Sequence, residues 1–406
     1  MAPCLSCSHP IEPFISFGRM PIANGFLREA EFSDEFFFDL MVGFCPECLM
    51  VQLTQLVEPE RLYHQNYAYF SSTSAAMAEH FRGLARYAYA HVREPNDPFF
   101  VEIGSNDGIL LQNFSQQGLR HLGIEPSENV AQAARAKGVK TKSCFFGVAA
   151  ATDIVREHGP ADVVLGANVI SHIPDIHSVL SGVQLLLKED GVFILEDPYL
   201  GDIFEKTAYD QFYDEHVFYF SLASLNNLLA RHGMTVVDAV PQGVHGGSMR
   251  YVIARKGCRE TSAAVEALTA LENAQGLCSA ATFEALEARV NRSRDQLVAL
   301  LRKLKQENRR VVGYGATAKS TTLTNYCGIG PELVEFISDT TPIKQGKFSP
   351  GTHIPVRPYE EFKADYPDYA LLFAWNHAPE IIQKEQSFLK RGGRFITFVP
   401  EVQILA

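Results

Sequence analysis

One short stretch brings together side chains that can exchange protons. The chain reads Tyr213-Asp214-Glu215-His216 inside an otherwise apolar and aromatic run. Placing two carboxyl groups and an imidazole in such a run costs free energy unless each group finds a partner. Because an imidazole exchanges a proton near neutral pH, His216 is a candidate general base, and Glu215 or Tyr213 could orient it or act beside it. The alternative is a histidine that is buried for structural reasons alone.

Two other stretches carry polar groups that could join this base. His172 follows an apolar segment and could donate to a developing oxyanion, or could simply begin a helix. The run His245-Gly246-Gly247-Ser248 lies between two apolar segments, and its glycines allow a ligand to approach the backbone closely. From this turn Ser248 or Arg250 could reach a substrate, unless the turn is an ordinary glycine hairpin.

A glycine turn with acidic side chains follows the apolar segment 99–103. It reads Gly104-Ser105-Asn106-Asp107-Gly108, with Glu102 just before it, and the next apolar segment ends at Glu125. An acid at that position can accept both ribose hydroxyls of an adenosine. A dinucleotide turn would need glycine in place of Asn106, and carboxylates repel phosphate. The pattern therefore favours S-adenosylmethionine, which has no phosphate and carries an amino group and a sulfonium. A plain glycine turn is the alternative. The candidate cofactor residues are Glu102, Gly104, Asn106, Asp107, Gly108, Glu125 and Asn168.

A second glycine turn has the opposite electrostatic character. The segment Gly313-Tyr314-Gly315-Ala316-Thr317-Ala318-Lys319-Ser320 contains hydroxyl groups and a lysine where the first turn has acids. Backbone N–H groups at a helix start, with Lys319 beside them, form a candidate anion site. The sequence predicts a phosphate-bearing ligand here, and a solvated lysine on an ordinary turn is the alternative.

Four of the eight cysteines fall in two C-x-x-C pairs. Cys4 and Cys7 form the first pair, and Cys45 and Cys48 form the second. Four thiolates close a tetrahedral zinc site with no open position, so we expect the zinc to be structural. Two redox-active pairs are the alternative. Between this module and the first cofactor strand lies a tyrosine-rich run that includes Tyr67 and Tyr69, which could pack between domains or line a ligand pocket.

The elements that must position these groups follow from the hydrophobic pattern. Apolar strands alternate with helical patterns from 99 to 256, and the last two strands, 234–239 and 249–254, are joined too closely for a crossover helix. We predict an α/β fold with four parts. These are a zinc-binding domain (1–70), a class I methyltransferase Rossmann-like domain (71–258), a helical connector (259–309) and a smaller Rossmann-like domain (310–406).

Size and charge limit the function classes. A chain of 406 residues is too long for one core. Its net charge of -11 argues against nonspecific binding to nucleic acid or anionic membranes. There is no run of 18 apolar residues, so we expect a cytoplasmic protein without a membrane span.

With these motifs in view, the chain resembles the nucleotide-sugar C-methyltransferases that make branched deoxysugars, notably the sugar C-3'-methyltransferases. The likeness is carried by the paired C-x-x-C module and by the segments 102–108, 196–202, 213–216, 245–247, 313–320 and 373–377. It implies a TDP-linked 4-keto deoxysugar as substrate, methylated at C-3' or C-5'. The candidate substrate-binding residues are Tyr199, His245, Gly246, Ser248, Arg250, Thr317, Lys319, Ser320, Asn376 and His377.

A mechanism follows from the chemistry of such a substrate. A ketone acidifies the neighbouring C–H, His216 removes that proton, and the carbon of the resulting enolate attacks the methyl group of the sulfonium. His172, Tyr67 or Tyr69 could stabilise the enolate oxygen, and no catalytic metal is required.

Two other functions are alternatives. An O-methyltransferase with a small acceptor is one alternative, but it leaves the second glycine turn, with Lys319, without a role. A nucleic-acid-binding protein is another, and the acidic charge argues against it. The oligomeric state is left open.

Overall fold

The computed structural model describes residues 2–62, 71–73 and 75–405. In that part of the chain the strands form four β-sheets. Tyr67 and Tyr69, predicted to contact the substrate, lie outside the described residues. No helix within those ranges is both long and apolar enough to cross a membrane.

The N-terminal part is built from short antiparallel strands. Its elements are β1 (Ala2–Pro3), β2 (Pro10–Ile11), β3 (Pro13–Pro21), β4 (Phe37–Phe44), β5 (Val51–Leu53) and α1 (Pro59–Leu62). Strand β1 pairs with β2, while β3, β4 and β5 form one continuous sheet. The two cysteine pairs lie at the ends of these strands, where the backbone turns back on itself.

The central part alternates strands and helices. Its elements are α2 (Ala75–Ala90), β6 (Phe99–Ile103), α3 (Gln112–Ser115), β7 (Arg120–Ile124), α4 (Glu128–Ala136), β8 (Thr141–Lys142), α5 (Val148–His158), β9 (Ala161–Ala167), α6 (Ile176–Leu186), β10 (Leu187–Pro198), α7 (Leu200–Lys206), β11 (Phe218–Tyr219), α8 (Leu222–Ala230), β12 (Met234–Gln242) and β13 (Ser248–Arg255). All but β11 of these strands form one sheet in the order β12-β13-β10-β9-β6-β7-β8.

This sheet is parallel except for β13, which pairs antiparallel with both β10 and β12. Every residue of β6 is buried, and its side chains alternate between two hydrophobic clusters, because helices cover both faces of the sheet. The strand order reverses at β6, which lies between β7 and β9. Ligands of such sheets bind where the order reverses, beyond the carboxyl ends of the strands.

The small strand β11 belongs to the N-terminal sheet and not to the central one. It pairs antiparallel with β5, placing Phe218 opposite Gln52 and Tyr219 opposite Val51. The N-terminal sheet therefore takes its edge strand from the middle of the chain. As a result, the segment that carries His216 is fixed to the zinc-binding module.

Two helices connect the central and C-terminal parts. The first is α9 (Ala263–Gln275), which packs on α8 and β12. The second is α10 (Ala280–Gln306), which packs on β3 and on β14 (Val311–Tyr314) and α11 (Ala318–Cys327) of the C-terminal part. Helix α10 buries one apolar stripe in the cluster shared by the N-terminal and C-terminal parts. The connector thus joins all three regions.

The C-terminal part repeats the parallel architecture on a smaller scale. Its elements are β14 (Val311–Tyr314), α11 (Ala318–Cys327), β15 (Ile337–Asp339), β16 (Val356–Pro358), α12 (Tyr359–Ala364), β17 (Tyr369–Leu372), α13 (Ala378–Lys384), α14 (Gln386–Lys390), β18 (Arg394–Thr397) and β19 (Gln403–Leu405). The sheet order is β16-β15-β14-β17-β18-β19, and only β19 is antiparallel. The order reverses at β14, so the turns after β14 and β17 form the expected ligand edge.

The predicted α/β fold class is confirmed, including the antiparallel pair of strands that closes the central sheet. The sequence analysis did not predict the short strands β8, β11, β16 and β19. Each is two or three residues long, too short to show a hydrophobic period.

Candidate active site

The turn after β6 has the backbone that its glycines predict. Gly104 has φ +66° and Gly108 has φ +80°, values that residues with a Cβ rarely adopt. A Cβ on Gly104 would lie 2.4 Å from Cγ2 of Val169. The turn is thus packed closely against the loop that follows β9. Asn168 in that loop also has positive φ, and its N–H donates to the carbonyl of Glu196 at 2.7 Å.

Three predicted cofactor acids surround this turn and differ in their partners. Glu125 accepts from the backbone N–H groups of Asn106 at 3.0 Å and Ser127 at 2.9 Å. Asp107 accepts from Lys137 Nζ at 3.0 Å. Glu102 is 3% exposed, and no described residue donates to its Oε2. Burial raises the pKa of Glu102 well above its ordinary value, and Glu125 and Asp107 add to the shift.

This set of groups fits the cofactor predicted from the sequence. A buried carboxyl oxygen without a described partner, beside two further acids, suits a cationic amino group and disfavours a phosphate. Gly104 lets the turn pack directly against Val169, because a Cβ there would meet that side chain. Glu102, Gly104 and Glu125 would hold S-adenosylmethionine, which supplies an electrophilic methyl group when bound.

The segment around His216 is almost wholly buried. The ring Nδ1 of His216 lies 3.1 Å from the carbonyl oxygen of Gln211, and Nε2 lies 2.8 Å from the hydroxyl of Tyr213. A carbonyl oxygen only accepts, so Nδ1 carries the proton and Nε2 carries the lone pair, which accepts from Tyr213. Burial lowers the pKa of His216 well below its ordinary value, and the nearby imidazole of His172 acts in the same direction. The ring is therefore neutral at pH 7 and able to accept a proton.

The structure places Glu215 away from the imidazole of His216. Its Oε1 accepts from Nδ2 of Asn24 at 2.8 Å, and Asp214 accepts from the backbone N–H of Ala23 at 2.9 Å. Burial raises the pKa of both acids, that of Asp214 to about 8. Tyr213 and Glu215 were both predicted as partners of His216. In the structure Tyr213 hydrogen-bonds to His216, whereas Glu215 hydrogen-bonds to the zinc-binding module.

Two more predicted histidines lie close to His216. The ring centroid of His172 lies 5.0 Å from that of His216. Burial lowers the pKa of both His172 and His245 to about 4. His245 is in the β12–β13 turn and has φ +54°, and its carbonyl accepts from the Gln211 side chain at 2.6 Å. The structure therefore gathers three neutral imidazoles at the carboxyl edge of the central sheet.

The second glycine turn faces this edge from the C-terminal part. Lys319 is 9% exposed; its Nζ donates to Oδ1 of Asn376 at 2.8 Å and lies 4.8 Å from the centre of the Trp375 ring. Burial lowers the pKa of Lys319, while the charge of Asp210 opposes that shift. The Nε1–H of Trp375 donates to Oδ2 of Asp210 at 2.7 Å. Lys319 is thus held by groups from both Rossmann-like parts.

Several predicted substrate-binding residues have hydrogen bonds or ion pairs within the protein. Thr317 caps α11 by accepting from the N–H of Ser320 at 3.2 Å, and the hydroxyl of Ser320 donates back to the Thr317 carbonyl at 2.6 Å. The hydroxyl of Ser248 donates to the Val244 carbonyl at 3.3 Å. His377 follows β17 and is half-exposed beside Glu380, at 3.9 Å.

Two other predicted substrate residues are engaged with buried partners. Tyr199 donates to Glu272 of α9 at 3.0 Å and turns into the protein. Arg250 donates through Nε to Oε2 of Glu196 at 2.8 Å, and His80 lies 2.5 Å from the other oxygen of Glu196. Both therefore act within the protein in this structure.

An open cleft of about 440 Å³ runs beside Gly246 between the two Rossmann-like parts. It is lined by α7, the β12–β13 turn and the residues after β17, namely Asp202, Lys206, Pro241, Gln242, Gly243, Gly246, Gly247, Trp375 and Asn376. A Cβ on Gly246 would lie 2.4 Å from Cη2 of Trp375. The glycines of this turn therefore let the two parts approach each other.

The four cysteines of the N-terminal part form one cluster, with all sulfur atoms within 4.8 Å of one another. The sulfur of Cys4 is 3.5 Å from that of Cys48, and the sulfur of Cys7 is 3.5 Å from that of Cys45. Four thiolates around zinc, each at about 2.3 Å, would lie roughly 3.8 Å apart, so the cluster fits the metal. The backbones of the two C-x-x-C turns resemble each other, because Ser8 and Leu49, one residue past each pair, both have φ +65°.

Sequence reasoning gave no role to several residues that shape the site. They are His80, Glu196, Asp210, Gln211, Thr322 and Trp375. One signal was present, because Trp375 is the only tryptophan of the chain and follows an apolar strand. His80, Asp210 and Thr322 meet partners more than 100 positions away, and Glu196 also meets Arg250, 54 positions away. No local pattern reveals such contacts.

Three family models match successive and partly overlapping stretches of the chain. A zinc binding domain model matches residues 4–63, a methyltransferase domain model matches residues 49–239, and a model for the C-methyltransferase C-terminal domain matches residues 243–400. The stretch matched by the zinc binding domain model contains the four cysteines that cluster in the structure.

Individual relatives differ in how much of the chain they cover. The C-methyltransferase NovU of Streptomyces niveus is 38% identical over 406 residues, which is 99% of this chain and 96% of that protein. A ubiquinone biosynthesis O-methyltransferase of Rhodopseudomonas palustris (strain TIE-1) is 29% identical over 98 residues, 23% of this chain and 38% of that protein. The solved magnesium protoporphyrin IX methyltransferase of Synechocystis PCC 6803 is 15% identical, covers 48% of this chain and 89% of that chain, and has a TM-score of 0.34.

The full-length match to NovU, the three family models and the four-cysteine cluster establish the class of the protein. The chain belongs to the C-methyltransferase family, as an S-adenosylmethionine-dependent methyltransferase with a structural zinc site.

Proposed function

We propose that this protein methylates a carbon atom, C-3', of a TDP-linked 4-keto deoxysugar, after removing the proton next to the ketone. The observation that carries the proposal is the state of His216, a neutral imidazole whose lone pair is on Nε2. A neutral base is what deprotonation of a carbon acid requires, whereas many O-methylations need only a polarised hydroxyl group. The resemblance of the motifs to sugar C-methyltransferases supports the choice of substrate.

In this account Nε2 of His216 receives the substrate proton. The hydroxyl of Tyr213, at 2.8 Å, holds the ring until the substrate arrives, and the Gln211 carbonyl stabilises the imidazolium through Nδ1–H. The resulting enolate oxygen needs a donor, and His172, 5.0 Å from His216 between ring centroids, is positioned to provide one. Such a donor lowers the barrier by roughly 3 kcal/mol. Tyr67 and Tyr69 stay predictions for the same role.

The two glycine turns would hold the two reactants. Glu102, Gly104, Asn106, Asp107, Gly108, Glu125 and Asn168 stay our candidates for the cofactor turn. In the C-terminal part, Lys319 and Asn376 adjoin the cleft beside Gly246, and we assign the nucleotide end of the substrate to that side. Holding both reactants over one base contributes through proximity, by roughly 7 kcal/mol or more.

The proposal also assigns a task to each part of the chain. The zinc-binding part (1–70) and the connector (259–309) position the elements around them. The methyltransferase part (71–258) holds the cofactor and the base, and the C-terminal part (310–406) holds the nucleotide. The substrate is therefore shared between two parts, in agreement with the cleft that both of them line.

The test is a panel of TDP-4-keto deoxysugars supplied with methyl-labelled S-adenosylmethionine, followed by NMR of each product. We expect the label on a carbon next to the ketone, at C-3'. A label at C-5' would change the regiochemistry but keep the deprotonation mechanism. A label on oxygen, or transfer only to small acceptors without a nucleotide, would contradict the proposal.

A further inference from the structure

The peptide carbonyl of Gln211 determines which nitrogen of His216 can act as a base. It lies 3.1 Å from Nδ1 of His216 and, as an acceptor, requires a proton there. The lone pair is consequently on Nε2, which faces the hydroxyl of Tyr213. If this carbonyl moved away, the ring could take the other tautomer and present an N–H where a lone pair is needed. The position of one backbone carbonyl therefore matters for the chemistry.

Both neighbours of Gln211 are anchored to the C-terminal part. On one side, Oδ2 of Asp210 accepts from the Nε1–H of Trp375 at 2.7 Å. On the other side, the carbonyl of Phe212 accepts from the hydroxyl of Thr322 at 2.7 Å. Asp210 and Phe212 are fully buried, and Thr322 is 2% exposed. Both acceptor residues are thus shielded from water, which strengthens the two contacts that hold the backbone.

The anchors come from the two ligand-facing turns of the C-terminal sheet. Thr322 is in α11, three residues after Lys319, and Trp375 is three residues beyond the end of β17. Lys319 lies over the ring of Trp375, with Nζ 4.8 Å from its centre. The elements proposed to meet the nucleotide are thus the same elements that hold the two neighbours of Gln211.

We propose that Thr322 and Trp375 are positioning residues that fix the tautomer of His216 through the peptide of Gln211. The inference rests on the proposed role of His216 as the base. It makes the C-terminal part a component of the catalytic site, because that part orients the base as well as holding the substrate. Neither residue touches the reacting atoms in this account.

The test uses paired substitutions on one helix. Thr322→Val keeps the shape of the side chain but removes the hydroxyl, and Thr322→Ser keeps the hydroxyl. Thr324→Val makes the same change at a buried position whose hydroxyl donates to the carbonyl of Thr321 and accepts from the hydroxyl of Thr352, both at 3.3 Å and both within the C-terminal part. We expect kcat to fall roughly tenfold or more in Thr322→Val, since small misplacements of catalytic groups are costly. KM should change little, and Thr322→Ser and Thr324→Val should retain most of kcat.

A second variant guards against misfolding. Trp375→Phe keeps an aromatic ring but loses the N–H that donates to Asp210, and it should lower kcat in the same way.

A double-mutant test follows, in which each variant is combined with His216→Ala. Residues that act only through His216 lose their effect on the rate once that base is removed. We expect Thr322→Val to have no further effect on the residual rate of His216→Ala.

The inference is overturned if Thr322→Val and Trp375→Phe are folded and keep wild-type kcat. It is also overturned if their effects persist undiminished in the His216→Ala background, since that result indicates a general structural role. A different result would refute the proposed function itself, namely full proton exchange next to the ketone by His216→Ala. The two failures can therefore be told apart.

Discussion

The hydroxyl of Tyr213 lies 2.8 Å from Nε2 of His216, three residues further along the same buried segment. The phenol is the donor in this contact, because the other ring nitrogen already donates to the Gln211 carbonyl. Burial lowers the pKa of His216, so the imidazole of this pair favours its neutral form. The pair can therefore accept one proton without first forming a phenolate and an imidazolium.

Replacing Tyr213 tests this pairing. Tyr213→Phe removes the hydroxyl that holds the Nε2 side of the ring, and we expect kcat to fall roughly tenfold or more with the cofactor affinity unchanged. Tyr251→Phe is the matched control, since it removes another buried phenol in the central sheet, whose hydroxyl has no hydrogen-bond partner among the described residues. Steady-state rates of both variants decide the matter. Equal rates for Tyr213→Phe and the wild type would show that the contact is dispensable.

The close packing behind the cofactor turn predicts a steric effect on cofactor binding. In Gly104→Ala the new Cβ would lie 2.4 Å from the Val169 side chain, so the turn must shift. We expect the Kd for S-adenosylmethionine to rise roughly tenfold or more, which corresponds to about 1.4 kcal/mol. Gly118→Ala is the control that distinguishes backbone strain from a steric clash. Gly118 also has a positive φ, of +71°, but a Cβ added there would have no atom within 4 Å. Calorimetric titration of the two variants should give a weaker affinity for Gly104→Ala alone.

The zinc cluster should be needed for folding and not for the reaction itself. In Cys4→Ser one thiolate is lost from a closed set of four, and we expect loss of zinc together with a lower Tm. Cys278→Ser changes an exposed cysteine outside the cluster and should alter neither property. Metal analysis and thermal unfolding provide the measurements. A stable and active Cys4→Ser protein without zinc would refute a structural role for the metal.

Burial of Asp197 predicts a dependence of stability on pH. Burial raises the pKa of Asp197 from 3.8 to about 8, so between these values the folded protein holds a proton that the unfolded chain has released. The free energy of unfolding should therefore fall as pH rises through this window, by at most about 1.4 kcal/mol per pH unit for one group. His172 and His245, with pKa values lowered from 6.5 to about 4, act in the opposite direction, but only below pH 6.5.

The clearest window is consequently from pH 6.5 to pH 8, where these histidines are neutral in both states. In that window Asp197→Asn should flatten part of the decline. The remaining slope includes Asp214, whose pKa burial also raises to about 8, and Glu102, whose pKa burial raises well above its ordinary value. Urea unfolding at several pH values measures the slope. Asp97→Asn, at an exposed position, should keep the wild-type slope. An unchanged slope in Asp197→Asn would mean that this carboxyl group is ionised throughout.

The sequence predicted those features that rest on local patterns. The strand 99–103 and its glycine turn, the antiparallel pair 234–239 and 249–254, and the two C-x-x-C turns all follow from periodicity or fixed spacing, and the structure contains each of them. What it could not predict are contacts between distant segments. Strand β11 is two residues long and exists because β5, more than 160 positions earlier, provides its partner.

The same reason explains the assignment of Glu215. Its position beside His216 in the sequence made it a natural partner for the imidazole, yet its carboxylate meets Asn24 of the zinc-binding part. Similarly, Arg250 was predicted as a substrate-binding residue, and the sequence pattern did not reveal that its Nε donates to the buried Glu196. Adjacency along the chain gives the residue types near a site, whereas the pairing of charges depends on which buried groups the fold brings together.

Exchange of a carbon-bound proton is the most direct test of the central claim. The wild-type protein and His216→Ala would each be incubated in deuterium oxide with a TDP-4-keto deoxysugar, and deuterium at the carbon next to the ketone would be followed by NMR. Our account predicts ready exchange by the wild type and loss of most exchange by His216→Ala, with S-adenosylmethionine binding intact. Full exchange by the folded His216→Ala protein would contradict it.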